Sequence, residues 1–253
     1  MRAVLFLLIM GFTCGAAAQD YAREDRWASE VVPALVVGDA VKIKAANGRE
    51  FLGLYTEAKS SNTALVLVHG LGVHPDFGVI GELRTKLADA GFTTLSIQMP
   101  VLDKEKRGED YVPLFPESSE RIARAGAWLQ ERGAKNIVLV SHSMGSWMSN
   151  VYLDHAAATP YRGWVTIGMT GGFQTRVLGI NWPWLNLATA IPILDVYGER
   201  DFVSTLETAP RRLRGISAIE GSKQVVIPGA EHYFGKFETP LAEAIALWVK
   251  SLK

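Results

Sequence analysis

Residues 136–145 read NIVLVSHSMG, and this stretch is decisive for the fold. Asn136–Val140 is a short apolar run that predicts a buried strand, and Ser146–His155 has the composition of a helix. A Ser-x-Ser-x-Gly sequence between a strand and a helix predicts a sharp turn that presents the hydroxyl of Ser143 above the backbone. The stretch indicates an α/β protein with a candidate serine nucleophile. An ordinary serine-rich turn is the alternative.

Small side chains are needed two positions before and two positions after the serine of such a turn, because larger ones would collide. Ser141 and Gly145 meet this requirement, although glycine is the more usual residue at the position of Ser141. The turn would also place the N–H of Met144 at the N-terminus of a helix. An amide in that position has no partner within the helix.

Short apolar runs alternate with amphipathic segments on both sides of this turn. Runs that are apolar on both faces predict strands of a parallel sheet covered by helices. The predicted strands are Ala64–Val68, Thr93–Gln98, Asn136–Val140, Gly163–Gly168, Ile191–Tyr197 and Gln224–Ile227. Helical stripes are predicted at Ile80, Leu83 and Leu87, at Ile122, Ala125, Gly126 and Leu129, and at Leu241, Ile245, Trp248 and Leu252, the last after a Thr239-Pro240 cap.

A hairpin precedes these units. Ala40–Ala45 alternates apolar and polar residues, Asn47-Gly48 supplies a turn, and Phe51–Tyr55 returns. We therefore predict one α/β domain over residues 19–253, with a hairpin region at 33–62, a mostly parallel sheet and helices on both faces. The polar segment Asp20–Val32 is expected to be a peripheral arm.

The first eighteen residues, MRAVLFLLIMGFTCGAAA, resemble a signal peptide. Arg2 is followed by an apolar run and by the small residues Ala16 and Ala18, which predicts cleavage after Ala18. A membrane anchor is the first alternative, but the apolar segment is shorter than the roughly 20 residues that span a bilayer. Lipid modification of Cys14 is a second alternative, and the residues before it match a lipidation motif poorly. We expect an exported protein, periplasmic or secreted, with no integral membrane segment after cleavage.

Composition limits the possible functions. The chain has 26 Lys and Arg residues against 26 Asp and Glu residues, so no excess positive charge indicates a nucleic-acid partner. Its 48% hydrophobic residues argue against disorder. Cys14 is the single cysteine of the sequence and lies in the predicted signal peptide, so the mature chain would have neither a disulfide nor a thiol nucleophile.

Two further candidate residues follow predicted strands. Asp201 comes just after Ile191–Tyr197, where a carboxylate is well placed to orient an imidazole, and Asp195 and Glu199 are lesser candidates. A cap of the following turn is the alternative role for Asp201. His232 follows the strand Gln224–Ile227. The order Ser143, Asp201, His232 along the chain is that of a hydrolase triad.

With these motifs in this order, the span from about Thr63 to Lys253 resembles the α/β-hydrolase superfamily. More narrowly, it is similar to a group of exported bacterial α/β-hydrolases whose function is uncharacterised, on the stretches 74–80 (HPDFGVI), 94–100 (TLSIQMP) and 111–120. Residues 228–234 (PGAEHYF) also resemble the histidine loop of dienelactone-hydrolase-like proteins. Those relatives use a cysteine nucleophile. The serine of this chain therefore favours ordinary ester chemistry.

The resemblance implies a serine hydrolase with Ser143, Asp201 and His232 as catalytic residues. The N–H groups of Leu71, in the loop His69-Gly70-Leu71-Gly72, and of Met144 would form the oxyanion hole. His69 is expected to brace that loop rather than to react. The resemblance implies neither a metal nor an organic cofactor.

The substrate depends on the residues that cover the site. Residues 171–190 are rich in apolar side chains and would form either a small cap that binds substrate through Trp182 and Trp184 or a packed crossover helix. We expect a small-molecule or lipid-like ester as substrate. A thioesterase, a peptidase, an acyltransferase and a non-catalytic binding protein remain alternatives, and the oligomeric state stays open.

Overall fold

The structure is a computed structural model and describes residues 19–58, 62–171 and 191–252. The predicted signal peptide and nearly all of the possible cap lie outside these ranges. The elements in chain order are α1 (Tyr21–Ala34), β1 (Asp39–Lys44), β2 (Glu50–Thr56), β3 (Thr63–Val68), α2 (Gly78–Asp89), β4 (Thr93–Ile97), a 3-10 helix (Gly108–Leu114), α3 (Phe115–Gln130), β5 (Asn136–His142), α4 (Met144–His155), β6 (Tyr161–Ile167), β7 (Ile193–Arg200), α5 (Val203–Ile216), β8 (Lys223–Glu231) and α6 (Glu238–Ser251).

The described strands form one sheet in the order β1-β2-β4-β3-β5-β6-β7-β8. β1 and β2 form the predicted antiparallel hairpin, and β2 also runs antiparallel to β4. All remaining neighbours are parallel. The fold class predicted from the sequence is confirmed. In the described ranges, no helix combines the length and the apolar character needed to cross a membrane.

Helices cover both faces of the sheet because its central strands are apolar on both sides. In β3, Val66 and Val68 point into a core shared with α3 and α4, whereas Leu65 and Leu67 point into a core shared with α2 and α6. Alternate residues of a strand face opposite sides, so one continuous apolar run supplies both cores. The sheet is thus a rigid support for the loops at its carboxyl edge.

Three strands extend further than the sequence indicated, and each extension ends at a candidate site residue. β5 continues to His142 before Ser143, and β7 continues to Arg200 before Asp201. β8 continues to Glu231 before His232, passing through Gly229 at φ +73°. Parallel strands leave the sheet at the same edge, so the three residues come together there.

The N-terminal segment differs from its prediction as a peripheral arm. It forms α1, whose Glu24 is buried and accepts hydrogen bonds from the guanidinium of Arg121, at 2.8 Å for the shorter contact. Of the two buried side chains of α1, Glu24 is a paired charge, and Val31 packs against Leu52 and Leu54 of β2. The predicted hairpin region, 33–62, therefore begins inside a helix.

The start of α6 also differs from its prediction. Phe237 is the capping residue, so Thr239 lies in the first turn of the helix and is not the cap.

Candidate active site

Ser143 lies in a strained turn between β5 and α4. Its backbone has φ 54° and ψ −120°, an uncommon conformation for a residue with a side chain. The N–H of Ser143 donates to the carbonyl of Ile167 at 2.9 Å, which ties the turn to the end of β6. Strain of this kind persists only where surrounding contacts impose it, and it often accompanies function.

Close packing around the turn explains the residue types on either side of the serine. A Cβ atom on Gly145 would lie 2.5 Å from the carbonyl oxygen of His69 and 2.7 Å from that of Val68, so only glycine fits. Ser141 is tolerated on the other side because its hydroxyl accepts a hydrogen bond from the indole of Trp164 at 2.7 Å. That contact accounts for the departure from glycine noted in the sequence.

Ser143, His232 and Asp201 form one chain of hydrogen bonds. Nδ1 of His232 is 2.7 Å from Oδ1 of Asp201, and Nε2 is 3.0 Å from Oγ of Ser143. An ionised carboxylate can only accept, so the proton of the neutral imidazole lies on Nδ1. Nε2 is then an acceptor that faces the hydroxyl of Ser143. The structure therefore brings together the three side chains that the sequence singled out.

Asp201 is held as a carboxylate. Burial by itself would raise its pKa, but hydrogen bonds from His232 and from the N–H groups of Phe202 and Gly198 outweigh this and hold the pKa below the ordinary aspartate value. The lesser candidates are engaged elsewhere. Asp195 pairs with the buried guanidinium of Arg212 at 2.8 Å, and Glu199 accepts from a backbone N–H.

Two neighbours of the imidazole were not anticipated from the sequence. The ring of Phe202 stacks on that of His232, with centroids 4.0 Å apart and an interplanar angle of 20°. Gly168, at φ +59°, follows β6, and a Cβ there would lie 3.1 Å from the imidazole of His232. Phe202 thus covers one face of the imidazole, and the missing side chain of Gly168 leaves room for the ring.

His142 is a third residue that sequence reasoning missed, although it directly precedes Ser143. It is buried, and its Nε2 is 2.9 Å from the carbonyl oxygen of His232, to which it donates. Burial lowers the pKa of His142 to about 4, and the neighbouring His232 acts in the same direction. His142 is thus a neutral donor that holds the backbone of His232. Its position next to the serine was the only available signal.

The loop after β3 reaches the other side of Ser143. His69 is buried with its Nδ1 2.8 Å from the carbonyl oxygen of Gly70, while its Nε2 accepts from the N–H of Met99 at 2.9 Å. Burial lowers the pKa of His69 to about 3, so it is neutral. It has the bracing position expected from the sequence. A Cβ on Gly70 would lie 3.3 Å from the Cβ of Ser143, so the loop passes close to the serine.

A cavity of about 610 Å³ opens onto Ser143. The described residues that line it are apolar or neutral and include no Asp, Glu, Lys or Arg side chain; they are His69, Gly70, Leu71, Val73, Phe77, Gly78, Val79, Ile80, His142, Ser143, Phe202, His232 and Tyr233. Leu71 is part of this wall, and Met144 is the first residue of α4. Trp182 and Trp184 lie outside the described residues. Among the described residues, no cluster of three or more His, Cys, Asp or Glu side chains could hold a metal.

Comparison with known protein families relates only part of the chain to a family. Residues 16–111 match a family model described as a protein of unknown function, DUF3530. The matched segment includes α1 and the loop after β3 but ends before Ser143. A comparison with curated proteins finds no match.

Solved structures match most of the chain. A serine hydrolase without a lid from Xanthomonas campestris is 16% identical, covers 85% of this chain and 95% of its own, and gives a TM-score of 0.64. A dienelactone hydrolase from Anabaena variabilis is 18% identical, with coverage of 84% and 96% and a TM-score of 0.64. An esterase from Pyrococcus furiosus is 14% identical, with coverage of 86% and 98% and a TM-score of 0.63. At such identities the similarity establishes the fold.

Proposed function

Since the chain has the α/β-hydrolase fold, we propose that it is a serine hydrolase that cleaves carboxylic esters. The observation that carries this proposal is the hydrogen-bonded chain from Asp201 through His232 to Ser143, with heavy-atom distances of 2.7 and 3.0 Å. Ser143 and His232 line an apolar cavity, and Ser143 lies in a strained turn. Together these features support nucleophilic catalysis by Ser143.

In the first step, Oγ of Ser143 attacks the carbonyl carbon of the ester while its proton moves to Nε2 of His232. Asp201 holds the imidazole with its Nδ1 proton inward and stabilises the cation that forms. The C–O bond of the ester then breaks, and His232 gives its proton to the leaving alcohol. The product of this step is an acyl group on Ser143.

The carbonyl oxygen of the ester becomes negatively charged during the attack, and hydrogen-bond donors are needed to stabilise this charge. We assign them to the N–H groups of Met144 and Leu71. The N–H of Met144 belongs to the first residue of α4, where the helix supplies no acceptor and its dipole favours negative charge. Leu71 lies in the cavity wall between two glycines. Loss of one donor of this kind typically costs about 3 kcal/mol of transition-state stabilisation.

Water completes the cycle. His232 removes a proton from the water as it attacks the acyl carbon, and it returns that proton to Ser143 as the acid leaves. His232 thus carries the proton in both halves of the reaction, and Asp201 orients and stabilises its imidazole throughout.

The chemistry of the cavity supports an uncharged substrate with an apolar acyl group. Its wall presents Leu71, Phe77, Ile80 and Phe202 and has no charged side chain among the described residues to bind an ionic group. Burial of an apolar chain there would contribute about 0.8 kcal/mol per methylene. A small-molecule or lipid-like ester meets these requirements.

The proposal also includes the export predicted from the sequence. Residues 1–18 would be removed after Ala18, and the mature enzyme would be a single domain that acts in the periplasm or outside the cell. The mass of the protein recovered from its native compartment tests this directly. A mature protein that retains residues 1–18 would contradict it.

The nucleophile is tested by labelling with a fluorophosphonate probe. We expect the wild-type protein to be labelled and to hydrolyse p-nitrophenyl esters, and we expect Ser143→Ala to lose both, with activity lower by about 10⁴-fold or more. Ser217→Ala, at a surface serine that bonds only to its own helix, is the matched control and should behave as the wild type. Equal labelling of Ser143→Ala and the wild type would show that the nucleophile is wrong.

A substrate panel separates the esterase from its alternatives. Acyl esters, thioesters and anilides of the same chain length, from two to twelve carbons or so, should show hydrolysis of the esters at the highest kcat/KM, with a preference for apolar chains over chains that end in a charge. Faster turnover of thioesters or anilides would identify a thioesterase or a peptidase.

A further inference from the structure

The loop Gly70-Leu71-Gly72 lies between Ser143 on one side and the side chains of Tyr111 and Arg23 on the other. On one side, a Cβ added to Gly70 would lie 3.3 Å from the Cβ of Ser143. On the other side, a Cβ added to Gly72 would lie 3.3 Å from the hydroxyl oxygen of Tyr111 and 3.9 Å from the guanidinium nitrogens of Arg23. Leu71, whose N–H is a proposed oxyanion donor, lies between these two contacts.

Arg23 belongs to α1 and joins two loops at the carboxyl edge of the sheet. Its Nη2 donates to the carbonyl of Gly72 at 2.9 Å, and its Nη1 donates to the carbonyl of Leu102 at 2.6 Å. The guanidinium also lies over the ring of Trp27, 4.5 Å from its centroid. The guanidinium is planar and its N–H donors point in fixed directions, so it is a rigid bridge between the two loops.

The helix that carries Arg23 is firmly attached. The N–H of Asp20 donates to the carbonyl of Val101 at 2.8 Å. The next residue after Arg23, Glu24, is buried and pairs with the buried Arg121, which also donates to the carbonyl of Gln98 at 2.9 Å. Arg23 therefore acts from a support that is itself anchored below the loop.

The loop needs an external support because of its composition. Glycine has the widest choice of backbone conformations, and two glycines in three residues leave the intervening peptide units poorly restrained. Gly72 adopts φ +64°, a conformation that glycine enters and leaves readily. Hydrogen bonding of its carbonyl to Arg23 removes this freedom at the end of the loop furthest from Ser143.

We propose that Arg23 is a positioning residue for the oxyanion site: it holds Gly72 so that the N–H of Leu71 stays aimed at the reacting carbonyl oxygen. This role rests on the proposed function, since it requires that Ser143 attacks an acyl carbon. Arg23 does not touch the substrate cavity in the structure. Its loss therefore affects the transition state more than the binding of the ground-state substrate.

The test compares Arg23→Met and Arg23→Lys with the wild type. Methionine keeps an apolar side chain next to Trp27 but has no hydrogen-bond donor. Lysine keeps the positive charge but presents one ammonium group in place of the planar guanidinium. Arg26→Met is the matched control, because Arg26 is an exposed arginine on the same helix. Each protein is measured for thermal unfolding, for kcat and KM on its best ester, and for inhibition by an alkyl trifluoromethyl ketone and the corresponding methyl ketone.

The trifluoromethyl ketone is the decisive probe. It forms a tetrahedral adduct with a reactive serine, and the former ketone oxygen of this adduct carries the negative charge that the oxyanion donors stabilise. The methyl ketone, in contrast, reports ground-state binding. We expect kcat of Arg23→Met to fall about 10- to 100-fold with KM changed less than about threefold. The inhibition constant of the trifluoromethyl ketone should rise by a similar factor, and that of the methyl ketone should not change. Arg23→Lys should be intermediate, and Arg26→Met should equal the wild type.

A different pattern would overturn the role of Arg23. If both Arg23 variants unfold at lower temperature but keep the wild-type kcat and trifluoromethyl ketone affinity, Arg23 only attaches α1 to the domain. Because lysine retains charge and stem, the Arg23→Lys variant still decides the question if Arg23→Met does not fold. A wild-type protein that neither hydrolyses esters nor reacts with fluorophosphonate would instead overturn the proposed function itself.

Discussion

The two sides of the Ser143 hydroxyl are built differently. On the side of α4, the N–H of Met144 is placed by β5, by the strained backbone of Ser143 and by the start of the helix, all within a few residues of one another. On the other side, the loop that carries Leu71 is held by the hydrogen bond from Arg23 to the carbonyl of Gly72 and by that from the N–H of Met99 to His69. The first side is local in sequence, whereas the second depends on contacts between distant segments.

The contacts on the two sides also differ in how far they can yield. Gly145 faces the carbonyl oxygens of Val68 and His69, which belong to the backbone of a central strand and the residue after it. Gly72 faces the ends of the Tyr111 and Arg23 side chains, which yield more readily than the backbone of a central strand. We therefore expect the turn at Ser143, called the elbow below, to tolerate almost no change, and the loop after β3 to adjust at a cost in positioning.

The strongest test of this difference is Gly145→Ala. The added Cβ would lie 2.5 Å from a backbone oxygen that cannot move without disturbing β3, so we expect a loss of about 3 kcal/mol in the free energy of unfolding, with ester hydrolysis nearly abolished. Urea denaturation and initial rates measure the two effects.

Gly235→Ala is the matched control for this change. Gly235 is exposed, and an added Cβ there would have no atom within 4 Å, so the free energy of unfolding should stay within about 0.5 kcal/mol of the wild type. A Gly145→Ala protein as stable as this control would show that the elbow has the freedom that we assign to the loop.

The second test concerns His232, the proposed general base. Gly168→Ala would place a Cβ 3.1 Å from the imidazole of His232, and displacement of that ring should lower kcat/KM about 100-fold. Gly133→Ala is the control, because Gly133 shares a positive φ, of 87°, but an added Cβ there would have no atom within 4 Å. Both variants should lose about 1 kcal/mol of stability from backbone strain. Equal activity of the two variants would contradict a contact effect on His232.

A third test concerns His142 and the pH dependence of stability. The pKa of His142 in the folded protein is lowered from the ordinary value of 6.5 to about 4, so between pH 6.5 and 4 this group is neutral when folded and protonated when unfolded. The unfolded state then binds the additional proton, and stability falls as the pH falls, by about 1.4 kcal/mol per pH unit.

His142→Gln should remove this dependence while an amide N–H still donates to the carbonyl of His232. The measured quantity is the difference in free energy of unfolding between wild type and variant at about pH 7, 6, 5 and 4.5, across the window in which the two states differ in protonation. Contributions from other groups, including Glu24 and Asp195 with their raised pKa values, cancel in this difference. Parallel pH profiles would show that His142 takes up its proton before the protein unfolds.

Much of the fold and the three candidate catalytic side chains could be predicted, because each has a local signal. Apolar runs predicted the strands, and Ser143 is flanked by the small residues that its turn needs. Asp201 and His232 each follow an apolar run, and parallel strands must end at one edge. The ends of β5, β7 and β8 were predicted too early, because the polar residues His142, Arg200 and Glu231 continue the backbone pairing.

The residues around the catalytic side chains were not predictable in the same way. Phe202 and Gly168 are ordinary residues in the sequence, and their roles appear only once β6, β7 and β8 lie side by side. The segment Asp20–Val32 was predicted to be a peripheral arm because it is polar, and one of the two buried side chains of α1, Glu24, is charged. A paired charge in the interior looks the same in sequence as a charge in solvent.

The sequence by itself determined the layered α/β architecture and the identity of the candidate serine, carboxylate and histidine. Such features follow from periodicity and turn chemistry, which act over a few residues. Only the tertiary structure decided how the imidazole is enclosed and which residue supports the loop opposite the serine. The physical reason is that every residue has a backbone carbonyl, so the residue type does not indicate which carbonyl a distant side chain will bind. The hydrogen bond from Arg23 to the carbonyl of Gly72 therefore becomes visible only in the folded chain.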